Sequence, residues 1–138
     1  MEFIYVFVFH KRNKSFLSSD KKNNIWAKPN PNSSYISCIS GDMNAKVGNL
    51  VSGLERVMGR HGMGTVNDNR ERLIEFCDFK EMVITGAIFP HKEIHRQTWV
   101  SPDGRTKNQI DHILANRKFK TSVIDTRVMR SADVANDH

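Results

Sequence analysis

Asp42 and Asn44 stand two residues apart, directly after the apolar run Tyr35-Ile36-Ser37-Cys38-Ile39-Ser40 and a single glycine, Gly41. In an extended chain, positions two apart point to the same side. The carboxylate and the carboxamide therefore emerge together at the mouth of a strand, where Gly41 lets the backbone turn tightly. A carboxylate can take a proton from water or hold a hard cation, and an amide can donate to a phosphoryl oxygen. The same letters also suit a plain Asx turn, because Gly, Asp and Asn are ordinary turn residues. Further groups of this chemistry lie downstream: Asp111 within a strand-like run, and the pair Asp137-His138. A carboxylate–histidine pair with a second carboxylate and an amide is what metal-assisted phosphodiester hydrolysis requires. The histidine handles a proton or the phosphate and one Asp fixes its tautomer. Another Asp activates water or holds the metal, and the amide donates to the charged transition state. Taken singly, each has a plainer reading: a strand Asp pairs locally, and an Asp-His end is simply solvated.

The elements that must position these groups follow from periodicity. Residues 35–40 read as a strand. A glycine-punctuated stretch from Gly48 through Gly64 reads as a loop that passes close to something. Asn67-Asp68-Asn69-Arg70-Glu71-Arg72-Leu73-Ile74-Glu75-Phe76-Cys77 predicts a short helix. Asp68 is its N-cap, Glu71 completes a capping box, and Leu73, Ile74 and Cys77 form the apolar stripe. Its open N–H groups also suit a phosphate. Met82 to Gly86 reads as a buried strand. Thr98-Trp99-Val100 and Lys107 to Leu114 flank Ser101-Pro102-Asp103-Gly104 as a hairpin. In its second strand His112 and Leu114 share one face with Ile110, and Asp111 and Ile113 share the other with Gln109. Asp111 thus falls mid-strand, where a charge costs free energy unless paired. Thr121 to Met129 reads as a further strand. Strands interleaved with one helix and a hairpin predict a mixed sheet of the α/β or α+β kind.

A chain of 138 residues is at most one domain, large enough for a core. Its net charge of +6 favours acidic partners, nucleic acid first among them. Six Lys and Arg face two acids in residues 1–34, a segment rich in Lys, Asn and Ser that ends in Pro29-Asn30-Pro31-Asn32-Ser33-Ser34. We read it as an atypical basic N-terminal segment and linker, opened by the run Phe3 to Phe9, itself of strand character. That run is far shorter than the roughly 18 residues a membrane-spanning helix needs. Glu2 and the lack of a small-residue cleavage site argue against a signal peptide. The expected location is therefore intracellular, nucleus or cytoplasm, without secretion, membrane association or a small-molecule cofactor. Cys38 and Cys77 have no metal-ligand spacing and read as buried free thiols.

Five ordered motifs in residues 35–138 resemble one family. They are Gly41-Asp42-Met43-Asn44-Ala45-Lys46-Val47-Gly48; Asn67-Asp68-Asn69 with Glu71-Arg72-Leu73; Thr98-Trp99-Val100-Ser101-Pro102-Asp103-Gly104; Asn108-Gln109-Ile110-Asp111-His112-Ile113; and Ala132-Asp133-Val134-Ala135-Asn136-Asp137-His138. The family is the endonuclease/exonuclease/phosphatase domain of the non-LTR retrotransposon and craniofacial development protein 2-like type. The resemblance implies part of a two-sheet α/β sandwich, DNase I-like, that uses Mg²⁺ to cut DNA. It implies Asp42 as the acid that activates water, Asn44 as the amide that stabilises the transition state, and Asp111 as the carboxylate that orients His138. Asp137 is the implied metal ligand, and Trp99 a core aromatic beside the site. The family's upstream motifs, with a metal-binding Glu and a Tyr, have no counterpart in residues 1–34. Its glycine after Asn-Asp-Asn is Arg70 here, and His138 carries the terminal carboxylate. The expectation is the C-terminal portion of such a domain, catalytically incomplete alone, holding Mg²⁺ weakly or not at all and binding DNA in a nonspecific, salt-dependent way. The alternatives are a non-catalytic basic remnant that binds nucleic acid or protein, or a phosphatase of the same superfamily.

Overall fold

The computed structural model describes residues 3–11, 14–19 and 38–130. In chain order these form β1 (Phe3–Lys11), β2 (Lys14–Ser19), β3 (Cys38–Asp42), α1 (Asp68–Phe79), β4 (Met82–Ile84), β5 (Trp99–Val100), β6 (Lys107–Asn108), β7 (Asp111–Asn116) and β8 (Val123–Arg130), with 3-10 turns at Thr85–Ala87, Glu93–His95 and Arg117–Ser122. There are three sheets: β2-β1-β8, β3-β7-β4 and the two-stranded β5-β6. The class is mixed α/β. The sheets are not mixed, however. Every strand pair among the described residues is antiparallel, because β7 returns between β3 and β4 and β1 runs against β8.

The central sheet sorts its side chains by the two-residue period of a strand. In β3 and β7, Cys38 faces Ala115, Ser40 faces Ile113, and Asp42 faces Asp111; the alternate pairs are Ile39 with Leu114 and Gly41 with His112. Leu114, Met82 and Ile84 join Leu73, Ile74 and Cys77 of α1, together with Ala45, Val47, Val57 and Met58, in one core, with Ile39 packed against it. Cys38, Val83, Ile113 and Ala115 point the other way and meet Val123 and Val128 of β8 in a second core. The central sheet is thus covered by a helix on one face and by a second sheet on the other. That arrangement leaves the Asp42–Asp111 end of β3 and β7 on the side of the second core.

Helix α1 confirms the apolar stripe, with Leu73, Ile74 and Cys77 buried. Its start differs from expectation. Asn67, not Asp68, is the N-cap, extended at φ −123° and ψ 176°, and its side chain makes no capping hydrogen bond. The carboxylates of Asp68 and Glu71 lie in the first turn, where the helix dipole favours negative charge without a formal cap. Arg70 is buried in the same turn and donates from Nη2 to the Leu50 carbonyl, which ties the glycine-rich loop to the helix.

That loop comes close to the chain's own backbone. A Cβ on Gly59 would meet the Ala87 carbonyl oxygen at 2.5 Å, and one on Gly62 would meet the Gly48 carbonyl oxygen at 2.1 Å. The loop is pinned to the end of β4 and to the end of the 3-10 turn that follows it, through Ile84 N–H donating to Val57 O and His61 N–H donating to Ala87 O. In the hairpin between β5 and β6, Gly104 N–H donates to Ser101 O, closing the four-residue turn as Pro102 and Gly104 predict.

Residues 3–11 and 14–19, part of the stretch read as a basic tail, supply two strands of the β2-β1-β8 sheet. β1 pairs with β8 from Phe3↔Arg130 to Phe9↔Val123, with a bulge between Val8 and Phe9. Both cysteines are free and buried, and burial pushes each thiol up to about 12. Among the described residues no helix is long and apolar enough to cross a membrane.

Candidate functional site

Asp42 ends β3 and Asp111 begins β7, and the two are a register pair. Residues directly opposite across antiparallel strands put their side chains on one face, with Cβ atoms about 4.5–5.5 Å apart. The two carboxylates singled out in the sequence therefore meet on one side of the sheet, Asp42 exposed and Asp111 half-buried. Asp111 is not mid-strand. The strand expected over 107–114 breaks at Gln109, which turns inward to 1% exposure. There its Oε1 accepts from Met63 N–H and its Nε2 donates to Gly86 O. A buried carboxamide is satisfied only by leaving the ladder at that point. Thr98 then sets where β7 resumes: its Oγ1 accepts both Ile110 N–H at 3.0 Å and Asp111 N–H at 3.1 Å.

Beyond Asp42 the chain turns through residues 43–46, and side chains hold nearly every peptide of the turn. Met43 N–H donates to Ile110 O. Asn44 N–H donates to Asp42 Oδ1 at 2.8 Å, an Asx turn, and Asn44 itself is left-handed at φ 46°. Asn is one of the few residues that tolerate this conformation. The Asn44 carbonyl accepts from Asn67 Nδ2 at 3.0 Å and from Asn69 Nδ2 at 2.9 Å. Lys46 N–H donates to Asn67 Oδ1 at 3.0 Å. The Asn67 side chain that leaves the helix uncapped is spent here.

The Ala45 carbonyl lies 2.6 Å from His112 Nε2. A carbonyl only accepts, so Nε2 carries the proton. His112 is fully buried, next to Asp111 in sequence and opposite Gly41, which has no side chain to compete for the space. Burial holds its pKa below the ordinary histidine value, against the opposite pull of the Ala45 bond and the Asp42 charge. The ring is thus a neutral strut beneath the turn.

Trp99 is not the core aromatic expected. It stands in β5 opposite Asn108 at 40% exposure, outside both cores, because β5 turns its next residue, Val100, against the second core and successive strand residues face opposite ways. Asp137 and His138 lie outside the described residues. Sequence reasoning passed over His112, Asn67, Asn69 and Thr98. For His112 there was a signal: strand alternation puts it on the same face as Leu114, away from Asp111. For the two asparagines the helix-start pattern hid it.

Among the described residues no group of three or more His, Cys, Asp and Glu side chains is placed to hold a metal ion. The arrangement supplies two facing carboxylates, a carboxamide on a rigid left-handed turn, and a buried neutral histidine behind it. Such a set suits a polar, charge-separating reaction at an anionic group, with Asp42 accepting a proton and the Asn44 side chain donating.

No family model matches the sequence, and no solved structure matches it. Over 100 residues the chain is 40% identical to craniofacial development protein 2 of Bos taurus and 38% identical to that of Tragulus javanicus. The matched stretch takes in 72% of this chain and 17% of the length of either relative, so the chain spans only a small part of the proteins it resembles.

Proposed function

We propose that this chain carries part of the phosphodiester site of a DNA-cutting domain of the endonuclease/exonuclease/phosphatase type, of retrotransposon origin, with a DNase I-like sandwich as its full architecture. One observation carries the reading: Asp42 and Asp111, distant in sequence, face each other across β3 and β7 beside a left-handed Asn44. Asp42 is the group that takes the proton of the attacking water. Asn44 donates from its side chain to the phosphoryl oxygens, and Asp111 orients the histidine that the resemblance places at His138. Mg²⁺ is bound in such sites by one or two carboxylates, with substrate phosphates and waters completing the octahedron. The described carboxylates at this end, Asp42 and Asp111, fit that mode only in company with a phosphate, and Asp137 would be the further ligand. When bound, the ion neutralises charge on the phosphate. The metal-binding glutamate of the resembled family has no counterpart in residues 1–34, so the site is incomplete without a complementing segment.

Two results are expected. The 138-residue chain with Mg²⁺ does not nick supercoiled plasmid above an Asp42→Ala control. Titrating a short DNA duplex with Mg²⁺ into labelled protein shifts amide resonances of residues 42–46 and 108–111. Shifts that avoid both segments would sink the site; nicking that needs Mg²⁺ and vanishes in Asp42→Ala would show the site complete.

The charge distribution favours a second reading, a basic nucleic-acid-binding remnant without chemistry. Counterion release gives a log–log salt slope of about −0.9 per phosphate neutralised. Since β1 and β2 belong to a sheet with β8, removing residues 1–34 would cost structure, and the cleaner test is charge neutralisation. Lys21→Gln, Lys22→Gln and Lys28→Gln together should flatten the slope by up to about 2.7, while Asp42→Ala leaves it unchanged. Fluorescence anisotropy across a salt series reads both. An unaltered slope in the triple variant assigns binding to the 42–46 turn instead.

A further inference from the structure

Asn44 occupies a conformation that side chains other than Gly, Asn and Asp rarely adopt, and its backbone is grasped from outside the turn. Two carboxamides, from Asn67 at the N-cap of α1 and Asn69 in its first turn, donate to the one Asn44 carbonyl. The orientation of each amide is fixed by what its other end touches. Asn67 Oδ1 accepts Lys46 N–H, and Asn69 Oδ1 accepts from Arg72 Nη1 at 2.9 Å. With the oxygen ends facing donors, both nitrogen ends must face the carbonyl. A helix normally spends its N-cap side chain on its own open N–H groups. Here Asn67 forgoes that bond, which is explained if its partner is the turn. The Asn44 side chain, by contrast, is exposed and makes no hydrogen bond among the described residues.

We infer that Asn67 and Asn69 are positioning residues: they lock the Asn44 peptide in its left-handed state, so that its carboxamide and the Asp42 carboxylate present a fixed pair of polar groups to a phosphodiester. The inference rests on the phosphodiester reading only for the identity of the ligand; the lock itself is a property of the free protein. Arg72 serves the same end at one remove, by holding the Asn69 amide in the donating orientation.

Asn69→Asp and Asn67→Asp test it with almost no change of shape. Each replaces the donating nitrogen by an oxygen that repels the Asn44 carbonyl, and each keeps the oxygen that Arg72 or Lys46 uses. In the full chain, amide exchange at Asn44 should quicken on the order of tenfold in each variant, as expected for losing a bond to a held backbone group. Exchange at Leu114 and Ile74 should stay unchanged, showing that the fold is intact. Asn69→Asp, being outside the N-cap position, keeps the test open if Asn67→Asp weakens the helix. The duplex titration is then repeated on the variants with the same DNA and Mg²⁺, and shifts at residues 42–46 should shrink at least severalfold. Unaltered exchange at Asn44 in both variants overturns the lock. Faster exchange with an undiminished duplex response overturns the positioning role. A wild-type protein that shows no duplex response at all refutes the phosphodiester reading, and the exchange data still decide the lock.

Discussion

Replacing His112 by Ala should destabilise the fold by about 3 kcal/mol or more at pH 7, and should also remove a pH dependence that the parent protein shows. The first effect adds a cavity in a fully buried site to an Ala45 carbonyl left without its donor. The second follows from the direction of the histidine's shift. Its pKa in the folded state lies below the ordinary value near 6.5 that the unfolded chain displays. Below that pH the unfolded chain binds a proton that the folded chain refuses, so stability is fully present above about pH 6.5 and drains away as pH falls. The slope can reach about 1.4 kcal/mol per pH unit until the folded-state pKa is passed. Urea unfolding from pH 7.5 down to pH 5 should show the parent losing stability and His112→Ala running flatter. Parallel curves would mean that the ring is not a buried neutral strut.

Gly62→Ala should be as damaging for a different reason. Its Cβ would sit 2.1 Å from the Gly48 carbonyl oxygen and 2.9 Å from Val47 Cγ2, and the nearer obstacle is backbone that cannot swing aside. Overpacking of this kind costs about 1–3 kcal/mol and occasionally more, and the contact here is at the severe end. Gly53→Ala is the informative comparison. Nothing lies within 4 Å of its Cβ, but φ is +80°, so only left-handed strain of about 1–2 kcal/mol is paid. Thermal unfolding of the two variants should place Gly62→Ala well below Gly53→Ala. Equal losses would show that the loop can move away from residues 47 and 48.

These two residues mark what could and could not be read in the sequence. Asp42 and Asp111 were legible as residues of one face because a strand's two-residue period carries side-chain direction. Asn44 was not legible in that way, since β3 ends at Asp42 and a left-handed Asx turn carries the chain on. The buried stripe of α1 was legible from its helical spacing in the same way. The position of Asp111 at a strand start was not, since it depends on Gln109 finding a carbonyl at Gly86 and an N–H at Met63, both far along the chain. The exposure of Trp99 was hidden for a similar reason: a hairpin of two-residue strands has its own register, but nothing local says which of its faces meets the core, and it is Val100 that does. Asn67 misled most directly. Asn-Asp-Asn before an apolar stripe is a sound helix start, and local chemistry alone could not show that its amide serves a turn 21 residues earlier. The glycines announced a close approach, and what they approach is the chain itself.

The pairing of β1 with β8 has a consequence for how the protein is made. β1 is the middle strand of its sheet, yet its partner β8 is about 110 residues further on, so the ribosome delivers the two well apart in time. At roughly 5–20 residues per second that interval is on the order of 5–20 s. Throughout it the segment Phe3-Ile4-Tyr5-Val6-Phe7-Val8-Phe9, uncharged and rich in aromatic and β-branched residues, waits with only the short β2 to pair with. Such a segment is the kind that self-associates as cross-β when left unpaired. Expression yield should therefore depend on holdase chaperones more than on final stability. A lysine at Val6 or Phe7 should raise the soluble fraction of nascent chains even while it weakens the finished sheet.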